Sequence, residues 1–582
     1  MIKTFGKISG TRNFKHTLNI VAAAVALLAV PVAAAAQSAS DLDRQMEVTR
    51  AYEPTVNRAE KLDIEPNMVD TVALHPDIGY RITPYPINRR FETVPIKVAS
   101  ISTFMNRDLA PFYLKLGAGY PFQTIADAYY TSTGNPDSRL GAYLNHYGSW
   151  SKIENDNKVE APATTTTNKI GVFGEHRFGQ MGVDGEIGYD YDMFSRYGYY
   201  TGTTPGIDTT AAGLRQDFST MRAAVNFGNP FEDLSYLNFR MGADVAYFQD
   251  KFNYSELDSK VYLAVGKLFG GKHQLTFRAQ YEGHVGYKDL YYTDNAFSVI
   301  PQYRFNSGKF DIAFGLNYTY NDHSSKIDGI ADNHSDGYLF PKFDIKLDIA
   351  GGYFIPYIEI DGRLRNNSYR NTVLRNPYVV QGLFMPSTEE YDGRVGITGN
   401  ISSVFSYRVF GGVSVLKRMN MFVNMYDDVT SARNLFSYIT DDATVYTFGG
   451  DLEGRIAGSF GVELALQYFG YDMKTLDKAI GMPDFTGRLG LKYSYRDKFT
   501  ARAGVGFTGR RYFYDEAGIS TGVYDMTKVY SAVNLTLGVE YNISRAFGMF
   551  LDLDNLLDHK QYQFHHYPGL GVNGMAGIRL SF

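Results

Sequence analysis

From Pro111 onward the chain alternates between apolar and polar positions with a period of two. In the clearest stretch, Leu275, Phe277, Ala279, Tyr281, Gly283, Val285 and Tyr287 are interleaved with Thr276, Arg278, Gln280, Glu282, His284, Gly286 and Lys288. Successive residues of a strand point to opposite faces, so this segment has an apolar side and a polar side. The same spacing recurs in Phe310, Ile312, Phe314, Leu316, Tyr318 and Tyr320, in Phe343, Ile345, Leu347 and Ile349, and in Val533, Leu535, Leu537, Val539 and Tyr541. The last segment, Val572 to Phe582, alternates in the same way and closes on phenylalanine.

A soluble sandwich alternates too, but three features favour a membrane barrel. The strands are long, their polar faces carry charges of both signs, and the connections alternate between short and long. Short turns fall at Gly179–Gln180, Gly270–Lys272, Asn306–Lys309, Gly351–Gly352, Gly458–Ser459 and Arg496–Lys498. Long connections fall near 195–213, 321–337, 366–388, 418–444 and 557–571. The expected fold is therefore all-β: a transmembrane antiparallel barrel of about 22 strands over residues 111–582. A barrel of that size has a wide lumen that is usually obstructed.

The first 36 residues read as a signal peptide: Lys3, Lys7, Arg12 and Lys15, an apolar run from Leu18 to Val32, then Ala34 and Ala36 before Gln37. Residues 37–110 differ from the rest, with Pro54, Pro66, Pro76, Pro84, Pro86 and Pro95 and few glycines. Proline removes backbone donors and favours extended chain, so this reads as a periplasmic or lumenal extension, with a short helix around Asp41 to Arg50. No later apolar run is long enough for a membrane helix.

Composition sharpens the picture. Tyr (46), Phe (40) and Gly (58) are abundant, as interfacial girdles and crowded barrel walls require. A net charge of −5 argues against a nucleic-acid partner, and the absence of cysteine excludes disulfides and thiol chemistry.

The closing phrase LDLDNLLDHKQYQ, followed by GMAGIRLSF, resembles the end of a TonB-dependent receptor barrel, through Asn555, Leu556, Leu557, Asp558 and Tyr562. The phrase EVTRAYEPTVNRAEKL resembles leaders of such proteins from the Bacteroidota. The resemblance implies solute uptake or passage across the outer membrane, with TonB as a partner. It also implies a plug and a TonB box. The segment in that place, residues 37–110, is short and proline-rich, a plug remnant, and Glu47-Val48-Thr49 is a degenerate box.

By alternation Arg278, Glu282, Lys342, Asp344, Lys346, Asp348, Arg488, Arg502, Glu540, Asp552, Asp554 and Arg579 face the lumen, either as cross-strand ion pairs or as a hydrated path or docking surface for the extension. Phe582 resembles the terminal signal read by the barrel-assembly machinery. Asp322, His323, Asp328, Asp332, His334 and Asp336 form one polar cluster, and His559, His565 and His566 another; both read as solvated loops, and no metal or cofactor is expected. No strand presents a nucleophile with a base in reach, so the reading is not an enzyme. The alternatives to uptake are a passive porin and a structural barrel that binds a surface lipoprotein.

Overall fold

Period-two segments form strands because each then offers lipid an apolar face while its backbone groups pair sideways. The computed structural model describes residues 110–582, except 133, 155–157, 159, 199–213, 230–233, 289, 328–329, 426–434, 457 and 515–525. The expectations for the signal peptide, the proline-rich extension and its helix lie outside the described residues.

The strands are β1 (Phe112–Tyr120), β2 (Gln123–Thr131), β3 (Ser138–Glu154), β4 (Glu160–Phe178), β5 (Met181–Ser195), β6 (Arg215–Gly228), β7 (Asn238–Asp250), β8 (Ser255–Phe269) and β9 (His273–Tyr287). They continue with β10 (Tyr292–Asn306), β11 (Phe310–Ile327), β12 (Ile330–Leu347), β13 (Ile355–Arg365), β14 (Thr388–Asn400), β15 (Phe405–Met425), β16 (Leu435–Ile456), β17 (Phe460–Met473), β18 (Phe485–Tyr495) and β19 (Phe499–Thr508). After these come β20 (Arg511–Tyr514), β21 (Met526–Val529), β22 (Ala532–Asn542), β23 (Phe547–Asp554), β24 (Tyr562–Phe564), β25 (Tyr567–Pro568) and β26 (Asn573–Ser581). Among the described residues one helix, α1 (Tyr369–Arg375), lies between β13 and β14. It is too short to cross a membrane.

β1–β19, β22, β23 and β26 make one 22-stranded sheet, and β1 pairs antiparallel with β26 to close it. β20–β21 and β24–β25 are small separate ladders. Leu275, Phe277, Tyr281, Phe314, Leu316, Tyr318, Val409 and Phe448 are all exposed on the outer face. An apolar outer belt on a closed barrel fits lipid, and the chain is an outer-membrane barrel. The short turns named above lie at the same end as Phe112 and Phe582, the periplasmic end by the usual asymmetry.

Two expected loops are strand instead. Residues 321–327 and 330–337 pair as the outer ends of β11 and β12, with His323 opposite His334. Residues 419–425 and 435–441 pair as the outer ends of β15 and β16. In β11 and β12 the polar residues there mimic loop composition because the ladder has left the bilayer and both faces meet water or other loops. At 21 and 22 residues, β15 and β16 exceed the ~9–11 residues that span a bilayer.

At the seam, Phe582 exchanges backbone hydrogen bonds with Phe112 (2.9 and 3.0 Å), and the rings lie 5.0 Å apart. Phe582 is exposed on the lipid-facing register of Ile578 and Leu580. Replacing Phe582 with Asp is expected to lower the amount of heat-modifiable barrel in the outer membrane. Unchanged levels on a semi-native gel would contradict the register.

Candidate functional site

Registers decide which side chains share the lumen. Arg278, Glu282, Lys342, Asp344, Lys346, Arg488, Arg502, Glu540, Asp552, Asp554 and Arg579 fall on one continuous face through their cross-strand partners. Asp348 does not. It follows β12 and caps the turn, accepting from the Gly352 amide at 2.8 Å. A carboxylate at a strand end is more useful to a turn's free amides than to a lumen.

Many of the others pair across strands. Lys260 reaches Glu282 at 2.8 Å, Lys342 reaches Asp361 at 3.3 Å, and Arg579 reaches Glu540 at 2.8 Å. Asp344 lies between Arg304 (3.4 Å) and Lys346 (3.5 Å), and Asp552 between Arg502 (3.6 Å) and Lys115 (3.7 Å). Asp554 accepts from Asn534 at 3.0 Å. Arg278 lies over the Tyr262 ring at 5.0 Å and, with Arg240, Asp244 and Lys260, lines a recess of ≈ 440 Å³. Half-exposed pairs of this kind contribute about 0–1 kcal/mol each, so the wall is a hydrated mosaic of both signs.

The outer mouth is different. The connection 366–387 does not stay outside; it folds inward across the opening. Ser368 caps α1, its side chain accepting from the Asn371 amide at 3.2 Å. Beyond it, residues 376–385 pack as a small core. Tyr369, Val373, Tyr378, Val379, Leu383 and Met385 join Phe248 of β7, Tyr292 of β10, Phe436 of β16, Tyr197 after β5, and Phe564 and Tyr567 near β26. These strands are not sheet neighbours, so one segment bridges walls that the ladder keeps apart.

Polar anchors hold this lid. The Tyr369 hydroxyl donates to Asp250 Oδ2 (2.9 Å) and the Tyr369 amide to Glu256 Oε2 (2.7 Å). Arg370 Nη1 reaches Asp258 Oδ2 at 3.0 Å. The Val380 amide donates to Phe436 O (2.9 Å), and the Phe436 amide to Tyr378 O (3.0 Å). On the nearby strands β10 and β11, the Ser387 hydroxyl donates to Asp294 Oδ2 (3.3 Å), and Phe384 stacks on His323 with centroids 4.8 Å apart.

The last loop completes the closure. Asn555 adopts a left-handed backbone (φ 48°), which Asn tolerates, and its side chain donates to His559 O (3.0 Å) and Leu570 O (2.9 Å). This is the physical content of the Asn555–Asp558 motif: it ties the loop's base so that Tyr567 reaches the mouth. Tyr567 stacks on Tyr378 at 3.7 Å, and Tyr197 donates to Pro568 O at 2.7 Å. Burial pushes the hydroxyls of Tyr197, Tyr369, Tyr378 and Tyr567 above the usual phenol range, so they remain protonated donors. Burial lowers Arg511 to about 10, still charged at neutral pH, where it donates to the carbonyls of Tyr562 and Gln563. His323, His565 and His566 are buried in this packing rather than solvated. Replacing Tyr567 with Ala removes a fully buried ring at a cost of about 3–5 kcal/mol. Hydrogen exchange should then speed up across 366–387 while the barrel strands stay protected; unchanged exchange there would contradict the packing.

Solved structures share this architecture. The FrpB iron transporter from Neisseria meningitidis (F5-1 variant) matches with a TM-score of 0.63 and 10% identity, over 81% of this chain and 82% of its own. The ferric-catecholate import receptor Fiu from E. coli K12 matches at 0.61 and 10%, over 82% of each chain. The copper transporter OprC matches at 0.60 and 14%, over 81% and 80%. At these identities the likeness is one of fold. No protein-family model and no curated protein sequence matches the chain.

Proposed function

We propose that this chain is an outer-membrane uptake barrel whose outer entrance is gated by residues 366–387. The observation that carries the reading is the inward-folded lid: 22 strands enclose a wide hydrated lumen, and residues 366–387, tied to several walls and packed against the last loop, lie across its mouth. A passive porin has no use for a buried aromatic closure. The solved barrels of the same fold are named for iron, ferric-catecholate and copper transport, which supports solutes of that kind as cargo. Residues 37–110 are proposed as a second, periplasmic restriction and as the segment that would meet TonB.

The test uses the absence of cysteine. Tyr378→Cys and Tyr567→Cys place two thiols across the closure, where the native rings lie 3.7 Å apart. A strain lacking the chain is complemented with this variant and assayed for uptake of ferric catecholates and cupric ion, before and after bridging with a short cleavable crosslinker. Uptake lost on bridging and regained on cleavage is the expected result. Equal uptake with the lid bridged would overturn the gate.

The alternative, a structural barrel for a surface lipoprotein, has one observation in its favour. Residues 331–337 of β12 are exposed on the outer part of the β11–β12 hairpin.

A further inference from the structure

Beneath α1, the lumen faces of two adjacent strands bring together three side chains that no lumen wall needs. Asp258 of β8 and His284 of β9 are register partners, and Glu256 lies two residues along the same face of β8. All three are buried, Glu256 completely. One donor atom from each lies within 4.8 Å of the other two.

We infer that Glu256, Asp258 and His284 form a divalent-cation site that the closed lid fills with its own cation, Arg370, so that a bound metal ion and a closed lid exclude one another.

Two carboxylates and an imidazole are a donor set suited to zinc and related first-row cations. In the closed state the two carboxyl groups are satisfied from the lid. Arg370 Nη1 lies 3.0 Å from Asp258 Oδ2, the Tyr369 amide donates to Glu256 at 2.7 Å, and the Arg370 amide lies 3.4 Å from the same carboxylate. The wall itself adds Tyr292, which donates to Glu256, a hydrogen bond between the Glu256 and Asp258 carboxyl groups, and the 2.6 Å contact between His284 Nδ1 and Asp258 Oδ1. A guanidinium thus takes up one of the three donors that a metal ion would use, and the lid's amides take up a second. Lifting α1 removes that charge and both amides together and leaves the buried Glu256–Asp258 pair with fewer partners, which is unfavourable. A divalent cation replaces what the lid takes away, with His284 turning from Asp258 to the ion. Opening is then coupled to cation binding, because a ligand shifts an equilibrium by its preference for one state.

The inference rests on residues 366–387 acting as a lid, and its test needs no transport. Val373 is buried in the lid core and the chain has no cysteine, so Val373→Cys reports opening through maleimide labelling of the full-length protein in detergent. With Zn²⁺ as the probe, labelling should quicken roughly tenfold. His284→Gln should abolish that response, and the difference in Zn²⁺ titration heat between it and wild type isolates this site from other histidines. Arg370→Gln removes the competing charge, so Zn²⁺ should bind it roughly tenfold more tightly than wild type. Each variant is first checked for the heat-modifiable form. Zn²⁺ binding equal in wild type, His284→Gln and Arg370→Gln would overturn the site. Binding that left Val373→Cys as slowly labelled as before would overturn the coupling. Neither result touches the uptake reading, which the bridged-lid assay decides separately.

Discussion

Cells producing the barrel with residues 367–386 replaced by a short glycine–serine turn, in a chain that also lacks residues 41–105, are expected to become sensitive to large antibiotics that the outer membrane excludes. The barrel itself should survive the change. β13 and β14 pair with each other up to Arg365 and Thr388, so the ladder does not depend on the loop between them. What is lost is the closure: the stack of Tyr378 on Tyr567, the bridge to Phe436, and the anchors on Asp250, Glu256 and Asp258. With about 22 strands the lumen is wider than that of a 16–18-stranded porin. Removing 41–105 in the same chain ensures that a periplasmic restriction does not mask the effect. Normal resistance in cells with a full complement of heat-modifiable lidless barrel would contradict the assignment.

The second large effect concerns the seam. Gly577 of β26 pairs with Gly117 of β1, and the Phe550 ring lies across both from β23. A Cβ at Gly577 would lie 2.0 Å from the Leu116 carbonyl oxygen and 2.6 Å from Gly117 Cα, both backbone atoms that cannot step aside without breaking the β1–β26 pairing. An aromatic ring covering strand glycines is a known way of restoring side-chain packing where the wall needs close approach. Gly577→Leu is therefore expected to leave the barrel unzipped, with loss of most heat-modifiable protein and degradation of the remainder. Gly393→Ala is the control, since a Cβ there meets only the Val413 carbonyl at 4.0 Å, and it should assemble normally. Equal assembly of the two variants would show that the seam tolerates side chains the geometry forbids.

The barrel was legible because lipid imposes a rule residue by residue. Leu275, Phe277 and Tyr281 must alternate with Arg278, Gln280 and Glu282, and turn glycines such as Gly179 and Gly270 have positive φ. The closing strand and its Phe582 followed the same rule. The ends of elements were harder. Asp348 continued the alternation by one residue past the strand, and the outer ends of β11 and β12 carried the Asp, His, Asn and Ser residues of a loop. The lid was missed because its order comes from partners remote in sequence. Val373, Tyr378, Val379, Leu383 and Met385 follow neither a strand nor a helix period. The available signal was composition, an apolar run between Pro377 and Pro386 where a solvated loop would be polar. Glu256 and His284 were invisible for a different reason. On their strands they alternate like any lumen-facing polar residue, and only the β8–β9 register and the arrival of Arg370 set them apart.

Single-channel conductance in planar bilayers tests the gated-entrance account most directly, using two purified chains that both lack residues 41–105. One keeps the lid and the other carries the glycine–serine turn in its place. The account predicts a closed channel with rare openings when the lid is present, and a steady, wide, weakly selective pore when it is absent, because the lumen wall carries both signs of charge. A lid-bearing barrel that conducts as freely as the lidless one would contradict it.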